Sequence, residues 1–524
     1  MKHMIKKGFA AVCAAVLLCA GFALGAGAKA EEAMPGIAVQ GQQFVDAYGR
    51  TRIFHGINYV IGKQGPAEAL DEDYFANCAA RGFNVLRLGL YWAELEPTPD
   101  VWDEAYLASI DPIFDAAATH GVYIMLELHQ DLFGRAAAGY GGWGAPEWAC
   151  LTDGAKLKQN AMVWAEGYFW GKGVHNAFDN FWNNSAAQGK GLQDHYAEMW
   201  VMLARRYGEK PALLGYDFIN EPHPGKEGGK VFRSLVSRAA LTALSHPIQL
   251  GRLGLTAVRG ETLHLLDFLD GKFMRQITRA GDKRTQRFDE ERYTPFFEKM
   301  TGAVRGVRPG GVVFMENSYF SNLGVPYAAQ RPRVGGAPEP NAAFAPHGYD
   351  LVVDTAMYDN PGTDRVKSIF EEHRRAQQRL DMPVLVGEWG GEWGGQRWQK
   401  HCEDLLDLFD SYGWSNAYYA VGSSWKWFSY RGKDFLARPY PMAVNGEDLR
   451  YAYEKDEKRF SLTYTQSEDA DAGQPTILYL PFEGTVEAGD LAVEIVPLRS
   501  EALPGACYVY LTGGAGAHRV DVRF

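Results

Sequence analysis

Between residues 53 and 422, apolar runs of four to seven residues alternate with longer stretches whose apolar positions recur at helical spacing. The runs are 53–59 (IFHGINY), 84–90 (NVLRLGL), 122–128 (VYIMLEL), 213–219 (LLGYDFI), 311–315 (GVVFM), 342–347 (AAFAPH), 383–386 (PVLV) and 417–422 (AYYAVG). Runs of this length and composition read as strands buried on both faces. The stretches 105–120, 193–207, 364–380 and 397–412 read as helices between them. Strands that alternate with helices lie parallel in one sheet. Eight of them predict an α/β fold, a (β/α)8 TIM barrel enlarged by insertions. A doubly wound open sheet is the rival, but no Gly-rich phosphate loop follows the first run. The turn 46–49 (DAYG) ahead of that run predicts an entry hairpin.

From about residue 436 the helical spacing ends. Short β-rich runs at 460–465, 476–480, 491–496 and 508–511 alternate with Gly, Pro and Asp turns. That pattern predicts a C-terminal β-sandwich, so the expected domains are 31–435 (barrel) and 436–524 (sandwich).

The 524 residues, 46% apolar, suffice for a large core and more than one domain. Residues 1–30 differ: Lys2, Lys6 and Lys7 precede an apolar stretch from Gly8 to Ala26 and the small-residue sequence Ala28-Lys29-Ala30. They read as a signal peptide cut before Glu31, so the chain is expected to be secreted or extracytoplasmic; an uncleaved anchor is the alternative. Cys78, Cys150, Cys402 and Cys507 then remain, too scattered for a disulfide framework or metal motif. One or two disulfides stay open. The formal charge of −11 argues against nucleic acid as a partner.

Chemistry enters at strand ends. Glu221 in 216–222 (YDFINEP) and Glu388 in 383–389 (PVLVGEW) each close an apolar run. Retaining glycoside hydrolysis needs such a pair, one carboxyl to protonate the leaving oxygen and one to attack the anomeric carbon. The rim at the C-terminal ends of barrel strands is where distant residues of this kind meet. Glu127, two residues before His129, lies deeper on the same face, and Glu316 follows the fifth run. Glu392 echoes Glu388 in a second Gly-Glu-Trp-Gly, but only Glu388 directly ends a run. His223 either contacts substrate or finishes a turn. His55 and His195 have no partner spacing that implies a metal, and neither metal nor cofactor is expected.

Strand by strand, the chain resembles glycoside hydrolase family 5, through Arg87, His129, Asn220, Glu221, His347, Tyr349, Glu388 and Trp425 in order. It resembles the endoglycoceramidases within that family through 129–133 (HQDLF), 144–149 (GAPEWA), Lys63 and 438–446 (RPYPMAVNG), over nearly the whole mature chain. The resemblance implies cleavage of the bond between glycan and ceramide in glycosphingolipids. Another family 5 activity (β-glucanase, steryl β-glucosidase, endogalactosylceramidase) and an inactive carbohydrate-binding protein are the alternatives. It implies Glu221 as acid/base and Glu388 as nucleophile. For the acid, partial burial and the negative Glu388 would supply the raised pKa. Arg87 is suited to hold Glu388 ionised, helped by Tyr349. Asn220 is suited to the sugar 2-hydroxyl, and Lys63, His129, Asp131 and His347 to sugar binding. Trp425 offers a flat face to a sugar ring.

Two long excursions remain. The one from Asp131 to Gly191 holds Trp143, Trp148, Trp164, Trp170 and Trp182, of which Trp182 is the expected sugar contact. The other, 226–292, combines apolar spacing (Phe232, Leu235, Val236, Ala239, Leu241, Leu244, then Leu263, Leu265, Leu266, Phe268, Leu269, Phe273, Met274) with many Lys and Arg. It reads either as an aglycone or membrane-surface element or as helices packed on the barrel. The first sugar, the glycan length and the oligomeric state are not legible.

Overall fold

Each of the eight predicted runs overlaps a strand, the seventh strand running on past its run and the eighth starting before its own. The computed structural model describes residues 34–156, 164–245, 270–353, 355, 357–391, 395–425, 428 and 433–524; the expected signal peptide, residues 1–30, lies outside the described residues. The first to fifth barrel strands are His55–Val60, Val85–Leu90, Tyr123–Leu128, Leu213–Asp217 and Val312–Met315. The sixth is in two pieces, Ala342–Phe344 and His347–Gly348, and the seventh and eighth are Leu385–Gly390 and Ser415–Tyr419. All pair in parallel. The ring closes through the divided sixth strand, whose first piece pairs with the fifth strand and whose second pairs with the seventh.

The strands form for the reason their composition suggests. The first three are buried at every position, which only a sheet covered on both faces allows. The helices between them bury one stripe. In Gln396–Tyr412 that stripe is Trp398, Cys402, Leu405, Leu406 and Phe409, and Gly413, at φ +66°, ends the helix. Glu104–Thr119 starts where the Asp103 side chain accepts from the Tyr106 amide.

The C-terminal region is a sandwich of two antiparallel sheets, one of seven strands and one of four. Alternating positions of Arg459–Gln466 and Cys507–Thr512 face a shared core of Tyr440, Phe460, Leu462, Leu478, Val509, Val520 and Val522. The entry hairpin changes the expected boundary. Ile37–Gln40, Gln43–Asp46 and Thr51–Arg52 are the first three strands of the seven-stranded sheet, joined to Tyr440–Val444 through Thr51–Arg52. The start of the region assigned to the barrel therefore belongs to the sandwich. The four cysteines after residue 34 are buried free thiols, so no disulfide forms among the described residues.

The sandwich meets the barrel on its underside through specific bonds. Tyr479, Tyr440 and Tyr508 donate their hydroxyls to the carbonyls of Ala80 (2.9 Å), Gly82 (2.6 Å) and Ala79 (3.5 Å), capping the helix Glu72–Ala80. Gly82 is required there: its φ is +75°, and a Cβ would meet the Tyr479 ring at 2.3 Å. Arg438 donates to Asp407 (2.9 Å) and pairs with buried Asp410 (2.7 Å), while His55 stacks on Tyr440 at 4.0 Å. Burial pushes Asp410 up to about 6 against the pull of Arg438.

A carboxyl whose folded pKa exceeds its unfolded value becomes a growing liability as pH rises from the unfolded toward the folded pKa. Arg438→Met removes the cation that limits this rise. Thermal unfolding is expected to show a loss of roughly 3 kcal/mol at pH 8 and a distinctly smaller loss at pH 5. A pH-independent loss would mean that the pair contributes packing alone.

Candidate active site

One guanidinium organises the mouth of the barrel. Arg87, on the second strand and fully buried, donates through Nη1 to Glu388 (2.7 Å) and Asn58 (3.1 Å). Its Nη2 donates to Glu316 (2.6 Å) and Asn220 (3.1 Å), and its Nε to Asp217 (2.9 Å). Glu127 lies 3.4 Å from Nη2. Several carboxylates around one cation cannot all ionise. Burial and then Asp217 push Glu316 well above the usual carboxylate range, and burial raises Asp217 to about 7. Glu316 thus keeps its proton and Asp217 is half protonated near neutrality, while the cation also bonds Glu388.

Glu388 sits on the seventh strand, in register with His347. Besides Arg87, Tyr349 donates to it at 2.9 Å, and two such donors suit an anion. Gly387 makes room for this pairing, since a Cβ there would meet His347 Nε2 at 2.7 Å. Glu221 follows the fourth strand at φ +43°, a conformation uncommon outside glycine. Neighbours hold it there: its amide donates to Glu316 Oε2 (2.6 Å), and Gln130 donates to the carbonyls of Asn220 (2.8 Å) and Glu221 (3.3 Å). The Glu221 carboxyl meets Asn322 Nδ2 at 2.7 Å and His347 Nδ1 at 3.2 Å. Burial, then the Asp131 charge, raise it to about 7, where it is half protonated near neutrality. Asp131, rather than the expected Glu388, is thus the leading charge on it. Burial lowers His347 to about 3, keeping the ring neutral. Ligand-type atoms of Glu221, His347 and Glu388 lie within 4.8 Å of one another.

The sugar-binding candidates gather beside this pair. Lys63 donates to Asp131 at 2.8 Å, and His129 lies between Asp131 (3.5 Å) and Glu127 (3.3 Å). Burial opposes charge on His129, but Glu127 and Asp131 prevail and raise it to about 9. Burial works against Asp131 as well, yet Lys63 and His129 hold its carboxyl below the usual range. Asn220 donates to the Gln130 carbonyl (3.0 Å) while its oxygen accepts from Arg87. Glu127 lies buried beneath, as expected, and Glu316, expected to face the rim in support of the site, is fully buried under Arg87 and the Glu221 amide instead. Glu392 falls outside the described residues. His223 is fully buried, its carbonyl accepting from Trp182, and finishes a turn.

Two expected sugar contacts lie elsewhere. Trp182 is buried among Phe178, Phe181, Phe288 and Phe296 and spends its indole N–H on the His223 carbonyl, so it packs the excursion against the insertion. Trp425 turns outward to Tyr74, Phe83 and Arg81 beside the helix Glu72–Ala80. Tyr419 takes the place foreseen for Trp425. Its hydroxyl accepts from Gln64 (3.1 Å), Lys63 Nζ lies 5.3 Å from its ring centre, and Glu388 and Asp131 are close enough to raise its pKa after burial has done so. Tyr419 lies within the eighth apolar run and ends the eighth strand, Ser415–Tyr419, as Glu388 lies near the end of the seventh. Trp143 also reaches the site edge, stacked on Tyr91 and exchanging backbone bonds with Asp131.

Within the insertion, Lys226–Leu244 is a helix that buries Val231 and Leu235 and stacks Phe232 on Phe169, while Val236, Leu241 and Leu244 are exposed. Phe273 and Met274 are buried, as packing predicts. Leu263, Leu265, Leu266, Phe268 and Leu269 lie outside the described residues. His195, whose spacing implied no metal, sits with Glu96 (3.2 Å) and Asp100 (3.3 Å), but Lys190 already places a cation on Asp100.

The exchange of roles between the two aromatics is measurable. On a soluble aryl β-glycoside, Tyr419→Ala should raise KM or lower kcat/KM about tenfold, as loss of a sugar-stacking ring does. Trp425→Phe should leave both constants within about twofold and lower only the melting temperature. The reverse ranking would return the sugar contact to Trp425.

Residues 45–425 match the family model described as cellulase (glycosyl hydrolase family 5), and residues 438–520 match the glycoside hydrolase family 5 C-terminal domain. Endoglycoceramidase I of Rhodococcus hoagii (strain 103S) is 25% identical over 446 residues, covering 82% of this chain and 77% of that protein. An endoglycoceramidase of Cyanea nozakii is 31% identical over 214 residues, covering 35% of this chain and 41% of that protein. Among solved structures, endo-glycoceramidase II from Rhodococcus sp. in its cellobiose-like imidazole complex superposes with a TM-score of 0.68 at 22% identity, covering 92% of this chain and 99% of that one. With a family model covering the barrel and a second covering the sandwich, the chain belongs to glycosyl hydrolase family 5 and is a glycoside hydrolase.

Proposed function

We propose that the chain is an exported retaining endo-β-glycosidase that releases an intact glycan from the ceramide of a glycosphingolipid. The observation that carries the chemistry is the pairing of a half-protonated Glu221 with a doubly hydrogen-bonded Glu388. One oxygen of each lies within 4.8 Å of one of the other, a spacing that supports a retaining pair over the wider separation of an inverting one. In the first step Glu388 attacks the anomeric carbon while Glu221 gives its proton to the leaving oxygen, and ceramide departs. In the second, Glu221 takes a proton from water, which attacks the same carbon and releases Glu388. Asn220 keeps one N–H for the 2-hydroxyl, while Lys63, Asp131 and His129 hold the neighbouring hydroxyls.

The substrate class is supported by the relatives named endoglycoceramidase. Export is supported by the basic, apolar and small-residue order of residues 2–30. No helix among the described residues is long and apolar enough to cross a membrane.

The deciding experiment is mass spectrometry of products from ganglioside, lactosylceramide, galactosylceramide, steryl glucoside and cello-oligosaccharide. Free ceramide with an intact glycan is expected; cleavage of steryl glucoside or glucan alone would replace the substrate while keeping the barrel chemistry. Glu388→Gln and Glu221→Gln should each lower turnover of the lipid at least about a thousandfold. Because Glu221 must be protonated for the first step, kcat/KM should be level below pH 7 and fall above it.

The exposed Val236, Leu241 and Leu244 lie on the helix that follows Glu221, on the aglycone side in this reading. Leu241→Lys with Leu244→Lys should weaken a lipid-linked substrate about tenfold or more and leave an aryl glycoside unchanged. Equal losses on both would assign the helix to packing.

A further inference from the structure

We infer that Asn322 is a positioning residue that decides which oxygen of Glu221 carries the acid proton. The inference rests on the reading of Glu221 as the acid/base. Asn322 belongs to the short turn Tyr319–Leu323 after the fifth strand and is buried. Its Nδ2 lies 2.7 Å from Glu221 Oε1.

The direction of that bond follows from a chain of donors anchored on backbone. The His347 amide, which can only donate, bonds Asn317 Oδ1 at 2.7 Å. Asn317 Nδ2 is therefore turned the other way and donates to Asn322 Oδ1 at 2.5 Å and to the Ser318 carbonyl at 3.0 Å. With its oxygen taken, Asn322 presents its N–H to Glu221. Oε1 thus receives an obligate donor, with His347 Nδ1 beside it at 3.2 Å. A hydroxyl proton on Oε1 would face that N–H; on Oε2 it meets no described side-chain or backbone partner.

The acid proton accordingly resides on Oε2, and Oε2 is the oxygen left for the leaving group and later for water. The same N–H stabilises the carboxylate that forms once the proton has gone, because hydrogen bonding to a charged form favours it. Asn322 serves both halves of the reaction without touching the sugar. Sequence inspection passes over it because it lies in a turn (ENSYFSNLG) and not at a strand end.

A merely structural role and a positioning role separate by leaving group. 2,4-Dinitrophenolate departs unprotonated, whereas ceramide needs the proton. Asn322→Ala should lower kcat/KM for lactosylceramide about tenfold and for 2,4-dinitrophenyl β-lactoside less than about twofold. It should also move the alkaline limb of the lipid profile upward, since the carboxylate has lost a donor. Asn322→Asp, which keeps the shape, removes the donor and adds a charge beside Glu221, should move that limb further and serves if the alanine variant does not fold. Equal losses on both substrates, or an unmoved limb in both variants, overturn the inference. Glu221→Gln is the control. If it discriminates the leaving groups and the Asn322 variants do not, this inference alone fails; if Glu221→Gln does not discriminate, the acid/base reading falls and takes this inference with it.

Discussion

The mouth of the barrel depends on one buried cation. Arg87 is out of reach of water, and all three nitrogens of its guanidinium are spent on Asp217, Glu316, Asn58, Asn220 and Glu388. An unpaired guanidinium in that place would be prohibitively costly, so the fold must bring the second, fourth, fifth and seventh strands together around it. The flat fork of arginine lets one residue bond several acceptors in one plane, which the compact ammonium of lysine cannot match. Structural and chemical demands meet in the same group.

The surplus of acids gives the two reacting carboxyls their different characters. Glu316 keeps its proton in the low-dielectric interior and Asp217 titrates only near 7, so these two acids compete less for Arg87, whose charge also serves Glu388. Glu221 has no cation in hydrogen-bond contact; buried and exposed to the Asp131 charge, it keeps its proton to about pH 7. The two carboxyls share a cleft and differ in their neighbours, which is how one site can hold both an acid and an anion. The left-handed backbone at Glu221 is held by Glu316, so an acid beneath the floor also aims the acid above it.

Much of this was legible in the sequence because apolar runs mark buried strands and a carboxylate after such a run stands at the rim. Glu221 and Glu388 announce themselves in that way, while Arg87 and His347 came from the resemblance to the family. Trp182 and Trp425 misled because an aromatic ring carries no sign of which way it faces; both found apolar neighbours, one under the insertion and one beside the helix Glu72–Ala80. Tyr419 was passed over because tryptophan draws attention as a sugar platform, although Tyr419 held the better position. Asn317 and Asn322 were illegible for a different reason. Their importance lies in a chain of hydrogen bonds between turns, and no spacing encodes it.

The hairpin Ile37–Asp46 and the strand Thr51–Arg52 bear on how the molecule comes into being. They are made before the barrel, yet their neighbour Tyr440–Val444 and the remaining strands of that sheet follow only after it. Until then the earliest strands present an unpaired edge, the kind of surface on which chains associate wrongly. The barrel is thus a closed loop whose two ends are clasped by a single sheet. A fragment truncated near residue 435 would lose the clasp as well as a domain, and the sandwich produced alone would lack the three strands that finish it.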